Sequence, residues 1–359
     1  MRSPTRLPIL AVITILILAI GGLSACTGGD SKSAGAPSDS STASAPVALQ
    51  SAFVDIVNKT LPSVVEITSA NGLGSGVIID AQGNIVTNAH VVGKATKFQV
   101  GLAGSSKTYP ATLVGAFPPD DLAVIRVNGA PKLKPATWGD SSKLRTGDIV
   151  LAVGNPLGLS GSVTDGIVSA LGRTVDEPRD SNSPGATIPN AIQTSAAINP
   201  GNSGGALVDL NGQLVGVPTL AAVNQEIGNG SAAPGIGFAI SGNMAASIAH
   251  QLVTQGKVTN SGRAALGVVV QTVVDANGTP VGAGITSVVP NGPAAKAGLA
   301  PGDVITKLDS ATIATAQDLA NALAQDAPGQ RVSVTVTSAA SSSPSSRTVE
   351  VVLADLSSV

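Results

Sequence analysis

Ser203 lies in INPGNSGGAL, residues 198–207, with glycine and asparagine before it and two glycines after it. Glycine costs backbone entropy, so such a cluster marks a chain shaped for a purpose. A serine hydroxyl becomes a useful nucleophile at neutral pH only beside a base. The chain has two histidines. His250, in SIAHQLV, falls late in a helical run and reads as a surface or packing residue. His90 ends the apolar strand of NIVTNAHVV and is the credible partner for Ser203. A carboxylate must then hold the imidazole in one tautomer. PPDDLAVIRV offers Asp120 and Asp121 before an apolar strand, and spacing does not choose between them. Acids beside two prolines are also ordinary solvated turn residues. The chemistry of such a set is acyl transfer, with backbone N–H groups of the glycine loop stabilising the developing oxyanion.

These residues need rigid elements to position them. From Ser63 onward, short apolar runs are broken by turns, with DAQGN and DLNGQ as hairpin signals. Regular short strands with little helix point to antiparallel sheets closed into barrels. The series continues through GIGFAIS, twice what one small barrel needs, which predicts two barrels. Leu49, Phe53, Ile56 and Val57 follow helical spacing ahead of the strands, and Pro62 closes that segment. A second helix is predicted after the strands: Met244, Ile248 and Leu252 recur at i, i+4 and i+8, with Gly256 as C-cap. The remainder mixes strands, RVSVTVT and TVEVVLADL among them, with two short helices.

Composition removes other classes. The formal net charge of −2 and 2% aromatic content supply neither a basic surface nor a stacking platform for nucleic acid. One cysteine forms no disulfide framework, and with two histidines it makes no zinc cluster. The N-terminus carries Arg2 and Arg6 ahead of an apolar run from Leu7 to Gly22, a secretory signal pattern. The run ends in LSAC, which resembles the bacterial lipobox and implies lipidation at Cys26. Residues 27–46 are small and polar and read as a flexible tether. The protein is expected outside the cytoplasm, anchored to the outer face of a bacterial membrane.

TNAHVV, DLAVIRV, GNPLGLSGSVTDGIVSALGR, INPGNSGGALVDLNGQLVGV and GIGFAI resemble the HtrA family of serine proteases, in register and in order. The resemblance runs from about Pro62 to the end of the chain. It implies a mainly β protein: two chymotrypsin-like antiparallel barrels with the site between them, then an α+β PDZ domain. It implies no cofactor, neither ATP nor metal, and a homo-oligomer, a trimer in the family. The triad becomes His90, Asp121 and Ser203, because the family acid immediately precedes Leu/Ile-Ala. The oxyanion donors become the N–H groups of Gly201 and Ser203. The pocket base falls six residues before the nucleophile, at Ala197, with Thr219 and Leu220 in the neighbouring wall, and favours small or medium apolar residues. Glu226 is the acid of the following loop and reads as solvated. One departure is Ser195, where the family commonly has an acid.

ITSVVPNGPAAKAGLAPGDVITKLDS and the helix after Thr315 resemble the family's PDZ module. Such domains add a peptide C-terminus as a strand to a sheet edge. The carboxylate loop maps onto Leu266, Gly267 and Val268. The expected division is a lipoprotein signal peptide over 1–26, a linker over 27–46 and a protease domain over 47–240. A connecting helix over 241–262 and a PDZ domain over 263–356 complete it. The function implied is an endopeptidase that degrades unfolded or damaged envelope proteins and recognises exposed C-termini. The alternatives are a holdase-type chaperone and a sensor protease with one regulatory target.

Overall fold

Alternating apolar runs and tight turns close into two six-stranded antiparallel barrels. The computed structural model describes residues 45–69, 72–130, 133–155, 161–177, 185–199, 201–223, 232–338 and 346–359. The signal segment, Cys26, most of the tether and Glu226 lie outside the described residues. Among the described residues no helix is long and apolar enough to cross a membrane.

Helix α1 (Ala45–Thr60) leads in, and a 3-10 turn at Leu61–Ser63 turns the chain into the first barrel. That barrel comprises β1 (Val64–Ser69), β2 (Gly72–Ile78), β3 (Asn84–Thr87), β4 (Lys97–Leu102), β5 (Thr108–Phe117) and β6 (Leu122–Val127), in the order β1-β2-β3-β6-β5-β4. The one-turn helix α2 (Ala89–Val92) follows β3. The second barrel comprises β7 (Ile149–Gly154), β8 (Ser162–Glu177), β9 (Ala186–Thr194), β10 (Ala206–Asp209), β11 (Leu214–Val223) and β12 (Ala232–Ser241). Its order, β10-β11-β12-β9-β8-β7, repeats that of the first. Turn chemistry sets the hairpins: the Asp80 carboxylate accepts from the N–H and side-chain amide of Asn84 between β2 and β3. Asp209 does the same for Asn211, and also accepts from the N–H of Gln213.

Each barrel encloses its own core, with Ile67, Ile85 and Ile125 in the first and Ile192, Leu207 and Val215 in the second. A third apolar cluster joins the barrels and takes in Ile56 of α1. It also takes in Ala245, Ile248, Ala249 and Leu252 of helix α3 (Gly242–Gln255), which are spaced to form one stripe. Gly256 ends α3 in the left-handed region, its N–H donating to the carbonyl of Leu252.

The remainder is an α+β module with its own core around Ile285, Ile305 and Val334. Strand β13 (Ala264–Ala265) precedes β14 (Val268–Val274), β15 (Pro280–Val288), β16 (Asp303–Leu308), β17 (Ala311–Thr312), β18 (Arg331–Ser338), β19 (Ser346–Val352) and β20 (Ala354–Asp355). The main sheet runs β14-β15-β16-β18-β19, β17 pairs with β16, and β13 pairs with β20. Helix α4 (Pro293–Lys296) starts at a proline. Helix α5 (Ala316–Leu323) starts at a capping box of Thr315 and Asp318.

Side-chain hydrogen bonds and an ion pair tie this module to the barrels. Arg263 pairs with Asp120 at 2.6 Å. From α5, Gln317 donates to the carboxylate of Asp176 on β8. Beyond α5, the Gln325 amide donates to the Thr174 hydroxyl at 3.0 Å.

Candidate active site

The two residues of the first barrel that face the site are fixed by backbone devices. Asn88, extended, starts α2 and puts His90 in its only turn. Pro118 and Pro119 open a 3-10 turn that closes at Asp121, which takes the left-handed conformation at φ 51°. Aspartate tolerates that region better than most residues. The Asp121 carbonyl accepts from the N–H of Ala89 and the amide of Asn88, both at 3.1 Å. Its carboxylate, 1% exposed, accepts from the His90 N–H through Oδ1 and from His90 Nδ1 through Oδ2, each at 2.9 Å. The Thr219 hydroxyl also donates to Oδ2, at 2.5 Å. Nδ1 is thereby the protonated nitrogen in the neutral ring, which leaves Nε2 as the basic one.

The nucleophile loop comes from the second barrel and is strapped to the first. Ser75 on β2, fully buried, donates through Oγ to the carbonyl of Gly201 at 2.5 Å and accepts from the N–H of Asn155 at 2.8 Å. Its N–H donates to the carbonyl of Ser203 at 3.0 Å. Asn202 pins the loop from within: its amide donates to the Ala197 carbonyl and its Oδ1 accepts from the Asn199 N–H. Gly204 sits at φ 78°, and a Cβ there would fall 2.3 Å from the Ser75 carbonyl oxygen, so only glycine fits beside the serine. The N–H groups of Gly201 and Ser203 donate no backbone hydrogen bond among the described residues.

The structure thus brings His90, Asp121, Ser203 and Gly201 to one site, but the serine is not yet engaged with the base. Ser203 Oγ donates to the Thr219 carbonyl at 3.0 Å, not to His90. His90 carries a second carboxylate as well: Oε1 of Glu177, at the end of β8, lies 3.2 Å from Nδ1. Burial of the ring works against its charge. Hydrogen bonds to Asp121 and Glu177, reinforced by their negative charge, outweigh that and pull the pKa up to about 10. His90, Asp121 and Glu177 each offer a potential ligand atom within 4.8 Å of the others.

Several placements differ from the sequence reading. Asp120 lies in the 3-10 turn but is not solvated: it is fully buried and pairs with Arg263, which also donates to the carbonyl of Pro119. Burial raises its pKa to about 6, with Arg263 pulling the other way. The Thr219 hydroxyl serves Asp121 and its carbonyl holds Ser203. Ala197 is exposed, and of Leu220 the strand position alone is described, opposite Phe238. His250 is exposed on α3, in agreement with the sequence reading of a surface residue. Ser195 makes a two-bond bridge to Ile167, donating through N and accepting through Oγ. Ser75, Glu177 and the side chain of Thr219 were missed from sequence. The SGV run of β2 is an ordinary strand, and a glutamate before a proline carries no motif.

In the C-terminal module the carbonyls of Leu266 and Gly267 accept from Ala294 and Val289. In trans peptides the N–H points opposite to the carbonyl, so the N–H groups of Gly267 and Val268 face away from those partners. Leu266, Gly267 and Val268 line a groove of about 290 Å³ whose apolar walls include Leu319 and Leu323 of α5. Leu356 and Val359 also line it, which the sequence did not indicate.

Comparison with known proteins matches residues 74–217 to the trypsin-like peptidase domain and residues 255–342 to the PDZ domain. The chain is 40% identical to serine protease PepD of Mycobacterium tuberculosis, over 98% of this chain and 79% of that protein. It is 44% identical to the periplasmic serine endoprotease DegP of Escherichia coli, over 68% of this chain and 49% of that protein; it spans about half of DegP. Among solved structures, the HtrA-type protease AlgW with a decapeptide is 31% identical with a TM-score of 0.56, covering 84% of this chain and 98% of AlgW. A serine endoprotease from Yersinia pestis gives 31% and 0.55, over 85% and 98%.

Proposed function

The chain belongs to the HtrA family of serine proteases and is a serine endopeptidase with a PDZ domain; from that premise we propose the residues that carry the reaction and the substrates it serves. The observation that carries the reading is the 2.9 Å contact of His90 Nδ1 with Asp121, facing a serine held in a glycine loop. His90 is the general base, through Nε2, and takes the proton of Ser203 Oγ as that oxygen attacks the scissile carbonyl. Asp121 fixes the tautomer and stabilises the imidazolium. The N–H groups of Gly201 and Ser203 receive the oxyanion. The proton then passes to the leaving amine, and a water, deprotonated by His90, releases the acyl group.

The enzyme works outside the cytoplasm, in keeping with the periplasmic relatives, and its lipid anchor is on Cys26. Its substrates are unfolded or damaged envelope polypeptides. Their C-termini bind in the groove, with the carboxylate at Leu266, Gly267 and Val268. The division is that of the sequence reading: protease over 47–240, connecting helix over 241–262, PDZ domain over 263–356, acting as a homo-oligomer. A regulated enzyme is favoured over a constantly active one, because Ser203 Oγ is turned to Thr219. Ser203→Ala, His90→Ala and Asp121→Asn should each abolish casein cleavage, since triad members act as a unit. Substrates trapped by Ser203→Ala separate general quality control from a single target. Casein cleavage by Ser203→Ala at the wild-type rate would defeat the assignment.

A further inference from the structure

Asp121 alone is enough to hold His90. It grips the ring at Nδ1 and the backbone N–H, and it is itself held by Thr219, Asn88 and Ala89. Nδ1 has one proton to give, yet Glu177 Oε1 also lies 3.2 Å from it. A second acceptor adds nothing to the tautomer. What it adds is negative charge, and it comes from the other barrel, at the end of β8, whereas His90 and Asp121 belong to the first. Exposures of 13% for Glu177, 25% for His90 and 1% for Asp121 leave the cluster weakly screened.

We propose that Glu177 is a positioning residue that holds the base as imidazolium in the resting enzyme and sets the pH at which proteolysis begins. An imidazolium has no lone pair at Nε2 to take the Ser203 proton, in accord with a hydroxyl that donates to Thr219 instead. Among the described residues, the charged groups bearing on the ring are Asp121, from the turn before β6, and Glu177, from β8. Thr219 of β11 and Ser203 face the cluster as neutral groups. The elevated ring pKa agrees in sign with this arrangement. Withdrawal of Glu177 removes one of the two negative charges, lowers the pKa and frees Nε2 at neutral pH.

The inference rests on His90 being the base, so its test includes a readout independent of catalysis. In the full-length chain, Glu177→Gln should move the acidic limb of kcat/KM for a short chromogenic peptide down by about one pH unit or more. On that limb one unit is about a tenfold gain in rate at fixed pH. Glu177→Asp, which keeps the charge, should stay closer to the wild type. A limb unmoved by Glu177→Gln overturns the proposal, whatever the absolute activity. The second measurement removes dependence on activity and on the folding of that variant. Ser203→Ala with His250→Gln leaves one histidine, whose ring can be titrated by NMR without ambiguity. A His90 ring that titrates well above its ordinary value supports the clamp. A value near 6.5 overturns it even if Ser203 and His90 prove catalytic, and loss of catalysis on His90→Ala is read separately.

Discussion

Replacing Ser75 by alanine tests whether the first barrel shapes the oxyanion loop. The Ser75 hydroxyl is fully buried and works twice, donating to the Gly201 carbonyl and accepting from the Asn155 N–H. Alanine strands one buried acceptor and one buried donor at once. An unsatisfied buried polar group costs about 1–3 kcal/mol, so the pair predicts a loss of about 2–6 kcal/mol. That is a large fraction of the ~5–15 kcal/mol by which domains are stable. The peptide that carries the Gly201 carbonyl also anchors the turn between the two oxyanion donors. Losing a donor outright lowers turnover by about 10²–10³, which bounds the catalytic effect from above. The assay pairs urea unfolding with kcat on a short peptide, read where the variant is still fully folded. A fall in stability together with a fall in kcat fits the reasoning. An unchanged midpoint, or full kcat in the folded variant, would refute it.

Asp120→Asn should destabilise the chain by about 3–5 kcal/mol, because it leaves Arg263, 12% exposed, without its charge partner. Thermal unfolding checks this, and Arg263→Met added to Asp120→Asn should recover part of the loss. The His90 ring gains protons on folding, so its contribution to stability is fully present below pH 6.5 and lost as pH rises through about 10. Unfolding of Ser203→Ala minus that of Ser203→Ala/His90→Gln, from pH 6 to 10.5, isolates the effect, and a flat difference would contradict it. Cuts should follow small or medium apolar residues, because position 197 is alanine and offers no carboxylate to a cationic side chain. Mass spectrometry of a digested unfolded protein reads this directly, and clustering after Lys or Arg would point to Glu226.

Local chemistry made much of this protein legible in its sequence. Turn residues such as Asp80 and Asp209, the stripe of α3, the Gly256 cap and the capping box at Thr315 are written within a few positions of where they act. The nucleophile loop announced itself because its glycines cluster around one serine. The choice of Asp121 over Asp120 needed the family pattern, since two adjacent acids are alike to any local rule. Tertiary structure decided what each of them touches: one buried against His90, the other buried against Arg263, 143 positions away. The same holds for Ser75 and Gly201, 126 positions apart, and for Thr219 and Asp121, 98 apart. Glu177 reaches His90 only because two barrels close against each other. Sequence fixes the reactive groups and the periodicity of the elements that carry them. The fold alone fixes which buried donors, acceptors and charges meet, because those pairings depend on distances that no spacing along the chain encodes.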